Sequence, residues 1–145
     1  MDIKVKKLDD KARLPLRATE GSAGADLFAC LEEDTVIPPG ERRLIPTGIA
    51  VELPDSGCGL FVFPRSSVAL KAGVTLANSV GVIDSDYRGE IKVPLINLSD
   101  TAYTVRNGDR IAQAVILPVI LPVFTVTDVL GDTDRGEGGF GSTGV

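Results

Sequence analysis

Apolar and polar residues alternate along most of this chain with the two-residue period of half-buried strands. Residues 3 to 8, Ile-Lys-Val-Lys-Lys-Leu, open with that pattern. The stretches Asp26 to Cys30, Arg42 to Pro46 and Gly48 to Leu53 are short and flanked by turn residues, and Gly59 to Pro64 is a compact apolar strand. Between Glu90 and Asn97 the pattern turns Ile91, Val93 and Leu95 to one side and polar groups to the other. Arg110 to Leu117 and Val123 to Val126 complete the predicted strands. The segments Pro38-Pro39-Gly40, Pro54 to Gly57, Asn107-Gly108 and Gly131-Asp132 carry turn chemistry. Many short strands at roughly even spacing predict an all-β fold, a barrel or jelly roll.

One segment breaks the period. Ser66 to Lys71 follows two serines with helix formers, and Gly73 stands just beyond. Ser66 or Ser67 can cap the N-terminus and Gly73 can supply a left-handed residue at the C-terminus, so a single short helix is predicted. The run from Ile116 to Val123 is apolar but contains Pro118 and Pro122. A central strand does not accommodate two prolines, so an edge or a crossing segment is expected there. An apolar edge needs cover, which predicts an oligomer.

The chain has 145 residues, the size of one domain. We expect a body over residues 1–130 and a glycine-rich tail over 131–145. A net charge of −5 offers no basic face for duplex nucleic acid. Histidine is absent, which removes the usual catalytic triads, the commonest general base and most zinc sites. A base must then be a carboxylate, and a metal must be hard and oxygen-ligated. Cys30 and Cys58 have no motif spacing, and two reduced buried thiols are the common state of such a pair. The N-terminal strand pattern is not that of a signal peptide, and the longest apolar run is broken by Gln113 and the two prolines. A soluble, cytoplasmic protein without a membrane partner is expected.

Four internal segments and the tail could carry chemistry. Asn78 to Glu90 contains Asp84-Ser-Asp86-Tyr87-Arg88-Gly89. It reads as an ordinary hairpin turn, or as a platform presenting a carboxylate that could deprotonate a water and an aromatic that could lie on a sugar. Pro64-Arg65-Ser66-Ser67 reads as a plain helix start, or as charge and hydroxyls for phosphate beside helix N–H groups. Gln113, after the turn at Gly108, and Asp26, after Ala23-Gly24-Ala25, each fit a structural role equally well. The tail from Arg135 to Val145 sets Gly136, Gly138, Gly139 and Gly141 around Phe140, with Ser142 and Thr143 behind it. That is a frayed end, or a segment that closes over a base and phosphates.

Taken together, in order and spacing, these segments resemble the five motifs of the trimeric deoxyuridine triphosphatases (dUTPases), with a match running from Ala23 to Gly144. The resemblance implies a distorted jelly-roll homotrimer with active sites at subunit interfaces, each closed by the tail of another subunit. It implies hydrolysis of dUTP to dUMP and pyrophosphate with Mg²⁺ on the triphosphate, which limits uracil in DNA and supplies dUMP. It casts Asp84 as the base activating the attacking water, Asn78 as the uracil reader, Gly81 as a further substrate-binding residue, and Tyr87 as the wall that excludes ribose. Arg65, Ser66, Ser67 and Gln113 would hold phosphates. Asp26 would support the metal's water shell or the nucleophile's neighbourhood, with no direct protein ligand to the metal. Arg135 would pair with the γ-phosphate, Phe140 and Gly141 would cover uracil, and Ser142 and Thr143 would add phosphate contacts. A dCTP deaminase of the same fold, or a non-catalytic nucleotide sensor, is the alternative.

Overall fold

The computed structural model describes residues 1–139. Among the described residues eleven strands and one helix follow one another. They are β1 (Lys4–Lys7), β2 (Ala25–Phe28), β3 (Thr35–Ile37), β4 (Arg42–Pro46), β5 (Ile49–Glu52), β6 (Cys58–Phe63), α1 (Ser66–Ala72), β7 (Val74–Leu76), β8 (Gly81–Ile83), β9 (Lys92–Asn97), β10 (Tyr103–Val105) and β11 (Arg110–Pro118). All pairings are antiparallel, in sheets ordered β2-β11-β6-β8, β4-β9-β7, β1-β5 and β10-β3. The all-β expectation with one short helix holds.

Alternation builds the core. In β9, Val93 and Leu95 point inward with Ile91 just ahead of them, and all three are buried. They pack in one cluster with Ile37, Ile45, Ile49, Leu60, Val74 and Val105. Burying an aliphatic side chain of this size stabilises by about 1.5–3 kcal/mol relative to exposure. Asn97 continues the inward row although it is polar. Its amide nitrogen donates to the Ile37 and Thr101 carbonyls at 2.9 and 2.7 Å, and its oxygen accepts from the Ser99 backbone and hydroxyl. Every polar atom it buries is therefore matched, which burial of an amide demands. Cys30 and Cys58 are both buried and unbonded.

The turn chemistry acts at three of the four predicted turns. Gly40 and Gly108 take positive φ, and Gly57 is held by the Asp55 carboxylate at 2.7 Å. Gly73 closes α1 in the left-handed conformation, its N–H donating to Ala69. Three expectations are corrected. The N-cap of α1 is Arg65, with no side-chain capping bond, so Ser66 and Ser67 lie inside the first turn rather than capping it. Gly131-Asp132 is not a turn: the chain closes later, with the Gly136 N–H donating to the Thr133 carbonyl, whereas Pro118 ends β11 where only β6 pairs with it, β2 reaching no farther than Ala114, as an edge segment does. Val123 to Val126 is not a strand: no described segment pairs with it, and Phe124 is 92% exposed. The exposed arm beyond β11 also carries Ile120, Leu121, Val126 and Leu130. Among the described residues no helix is long and apolar enough to cross a membrane.

Candidate active site

One cross-strand row of the four-stranded sheet builds a polar cleft. Gln113 on β11 lies opposite Asp26 on β2 and opposite Phe63 on β6. Directly opposed residues on one sheet face hold their Cβ atoms about 5 Å apart, so the row brings Asp26 beside Gln113. Past Phe63 the chain turns into α1, and Arg65 reaches back across the row. Its Nε donates to Asp26 Oδ1 at 2.7 Å, with only 18% and 14% of the two side chains exposed. Arg110 reaches the other carboxylate oxygen, Oδ2, at 3.3 Å. Ser22, Gly24, Ser66 and Ser67 complete the cleft, whose volume is about 300 Å³. The loop wall is pinned by two backbone bonds between Leu16 and Asp26.

Arg110 was not singled out from the sequence, and the reason is geometric. Residues 110 and 113 of a regular strand face opposite sides. A register shift between Arg110 and Ala112 against β2 inserts one residue. Such a bulge reverses the parity, so Arg110 and Gln113 both reach the Asp26 row. Ile111 and Ala112 are buried in succession, as the bulge requires. Gly24 was also passed over as a site residue. A Cβ there would stand 2.3 Å from Gln113 Oε1, so the glycine leaves the space the amide occupies. The amide nitrogen of Gln113 donates to the Pro64 carbonyl at 3.0 Å, tying β11 to the start of α1.

Asp84 and Tyr87 belong to the turn that connects β8 to β9; these strands lie in different sheets and do not pair, so the expected hairpin is instead a crossing between sheets. The Asp84 carbonyl accepts the Tyr87 N–H at 3.1 Å. Arg88 donates to the Ser85 and Tyr87 carbonyls at 2.7 and 3.0 Å, closing the turn from inside. The exit is anchored by Glu90, whose carboxylate accepts the Gly48 N–H at 2.9 Å, and by Ile91, whose N–H bonds Ile49. The carboxylate of Asp84 is exposed, and among the described residues nothing pairs with it. It opens on a space of about 480 Å³ walled by Cys58, Phe61, Val82 and Val119. At the other end of β8, Val80 donates to Asn78 at 2.7 Å around Ser79, which has φ 63°. This tight three-residue turn is of the strained kind that costs of order 1–3 kcal/mol. It holds Asn78 against Gly81, which pairs with Val62.

The cleft and the Asp84 carboxylate do not meet within one chain. Gln113 lies level with Phe63 at one end of β6, whereas Asp84 follows Ile83, which pairs with Leu60 near the other. Three residues of strand, about 10 Å, separate the two rows. Thus Asp26, Arg65, Ser66, Ser67 and Gln113 are brought together, Asn78 and Gly81 lie at one end of β8, and Asp84 and Tyr87 lie beyond the other. Arg135 turns onto its own tail, its Nε donating to Gly138 at 2.8 Å. Phe140, Gly141, Ser142 and Thr143 lie outside the described residues.

The cleft offers oxygen donors from Ser66, Ser67, Gln113 and Asp26, the donor class that a hard cation such as magnesium takes. Each oxygen of Asp26 already meets a guanidinium, so the set suits a cation that arrives on phosphate with its own water.

Comparison with known proteins follows the same outline. The dUTPase family model matches residues 10–144. The deoxyuridine 5'-triphosphate nucleotidohydrolase of Desulfitobacterium hafniense is 54% identical over 147 residues, covering 99% of this chain and 97% of that protein. Among solved structures, a Staphylococcus bacteriophage 80alpha dUTPase variant with dUpNHpp is 29% identical, with a TM-score of 0.89 and 99% of each chain covered. A dUTPase variant from phage phi11 of S. aureus, in which a structural Mg(II) ion is coordinated, is 25% identical, with a TM-score of 0.81 over 91% of this chain and all of that one.

Proposed function

The chain belongs to the dUTPase family, and on that basis we propose that it hydrolyses dUTP to dUMP and pyrophosphate. The observation that carries this reading is the Asp84–Tyr87 turn, an exposed carboxylate with no partner among the described residues and an aromatic fixed on one anchored turn. Asp84 takes a proton from water as its oxygen bonds the α-phosphorus, and the bond from that phosphorus to the bridging oxygen breaks, releasing pyrophosphate. Arg65, Ser66, Ser67 and Gln113 hold phosphate oxygens, where the transition state concentrates charge. Asp26 orients Arg65 through the 2.7 Å ion pair at Nε, with Nη1 turned to the Arg110 carbonyl at 3.4 Å, which leaves Nη2 for the anion. Magnesium on the triphosphate neutralises further charge. Asn78 reads uracil, Gly81 adds a substrate contact, and Tyr87 lies against the deoxyribose.

Because the cleft and Asp84 sit near opposite ends of one sheet, a complete site draws on more than one copy. A homotrimer with shared sites fits this, and the exposed apolar arm from Val119 to Leu130 is the surface that assembly would cover. The tail over residues 131–145 is the closing segment in this scheme, with Arg135 on the γ-phosphate, Phe140 and Gly141 over uracil, and Ser142 and Thr143 on phosphates. Pyrophosphate release from dUTP, with dTTP, UTP and dCTP as controls, tests the activity. Selective release from dUTP is expected, and ammonia from dCTP would instead indicate the deaminase chemistry of the same fold.

A further inference from the structure

We propose that Gly89 determines sugar selectivity by giving the Tyr87 ring its seat. The phenol of Tyr87 folds back over its own turn and donates to the Glu90 carbonyl at 3.1 Å. That fold is possible only because residue 89 has no side chain. A Cβ at 89 would stand 2.3 Å from the Tyr87 hydroxyl oxygen, 2.5 Å from Cζ and 3.0 Å from Cε2. The three nearest atoms to that Cβ are thus all atoms of Tyr87, and each is at or inside the distance at which something must move. What moves is the ring, because a side chain hinged at its χ angles yields more readily than the anchored backbone around it.

The backbone itself makes no demand for glycine at this position. Gly89 is not among the residues with positive φ, unlike Gly40, Gly48, Gly73, Gly108 and Gly136. Alanine can therefore adopt the native conformation of residue 89. Its consequence is eviction of Tyr87 from a position fixed on two sides, by the Glu90 carbonyl and by the Cα of Gly89. This inference rests on the dUTP reading, in which that ring faces the sugar. A wall excludes a hydroxyl only if it cannot yield, and the glycine seat with its hydrogen bond is what prevents yielding. Gly89 touches no substrate in this scheme; it is a positioning residue.

The test is a double-mutant cycle between Gly89→Ala and Tyr87→Ala, read as the ratio of kcat/KM for dUTP to that for UTP. In the parent protein, a high ratio establishes the dUTP activity independently, and its absence would refute the proposed function rather than the role of Gly89. Given that ratio, Gly89→Ala should lower it roughly tenfold or more, the scale of one positioned specificity contact. The same substitution placed on Tyr87→Ala should change the ratio no further, because the wall it would displace is gone. An unchanged ratio in Gly89→Ala, or an equal additional loss in the double variant, overturns the proposal. If Gly89→Ala alone lowers the melting temperature too far to assay, the double variant decides. Recovery of stability in it assigns the cost to the ring against the Cβ and supports the seat. Persistent instability assigns the cost to the backbone and overturns it.

Discussion

Asp84 and Asp26 are carboxylates with opposite surroundings. Both oxygens of Asp26 are held by guanidiniums, at 2.7 Å from Arg65 and 3.3 Å from Arg110, whereas no described residue engages Asp84. A carboxylate committed to two cations orients them; one that is free can accept a proton. Asp84→Asn should therefore lower kcat by ~10²–10⁴-fold while dUTP still binds, which kcat from pyrophosphate release and Kd from calorimetry would separate. Rapid turnover by this variant would remove Asp84 from the chemistry. Asp26→Asn should act differently, freeing Arg65 and raising KM for dUTP about tenfold with a smaller change in kcat. Burial sets a pH limit elsewhere. It pushes the Cys30 thiol up, with Asp9 adding to the shift. It also pushes the Tyr103 phenol up, with Asp109 adding and Arg65 opposing. Both groups hold their protons more tightly folded than unfolded. Their contribution is complete below the unfolded thiol and phenol values and is lost as pH rises through the folded ones. Denaturant midpoints should hold near neutrality and fall from roughly pH 9 upward, with Cys30→Ala blunting the first part of the fall.

At the scale of elements, the strands that alternation revealed are those long enough to show a period, such as β9 and β11. The three-residue strands β3, β7, β8 and β10 escaped, because three residues complete little more than one alternation. The apolar stretch Val123 to Val126 failed in the other direction. Apolar residues report that a surface wants cover, and they do not say that a neighbouring strand supplies it. Within β11, the bulge between Arg110 and Ala112 is what gathers Arg110 with Gln113, and nothing in the residue pattern announces it. Glycines and prolines at turns, and Gly73 beyond α1, were legible because their cause is local φ. Asn97 shows an element held by a polar hub, joining the end of β9 to β3 and to the Ser99–Thr101 turn. Asn97→Ala takes this partner from the Ile37 carbonyl and the Ser99 N–H, while the Thr101 carbonyl keeps the Ser99 hydroxyl at 3.0 Å. It should cost about 3 kcal/mol, lowering the melting temperature by roughly 10 °C in thermal unfolding.

For the whole molecule, the decisive feature is that the Asp26 cleft and the Asp84 carboxylate lie near opposite ends of β6, in a chain with an exposed apolar arm. If copies share sites, assembly and turnover must fail together. Phe124→Asp on the arm should shift light-scattering mass toward the single chain and reduce activity in parallel, most severely at low protein concentration. Full activity from a dissociated chain would refute the shared site. Deleting residues 136–145 should leave the folded assembly intact while turnover falls severely, and unchanged turnover would return those residues to an inert terminus. By itself the sequence determined the all-β class, most of the turns and the family, because these rest on local backbone preference, periodicity and residue order. Tertiary structure alone decided which of the candidate site residues meet. The pairing of Asp26 with two arginines depends on strand register and one bulge, and the seating of Tyr87 on Gly89 on a contact distance. The separation of Asp84 from the Asp26 cleft depends on which ends of β6 its neighbours join, a relation between segments that no local pattern encodes.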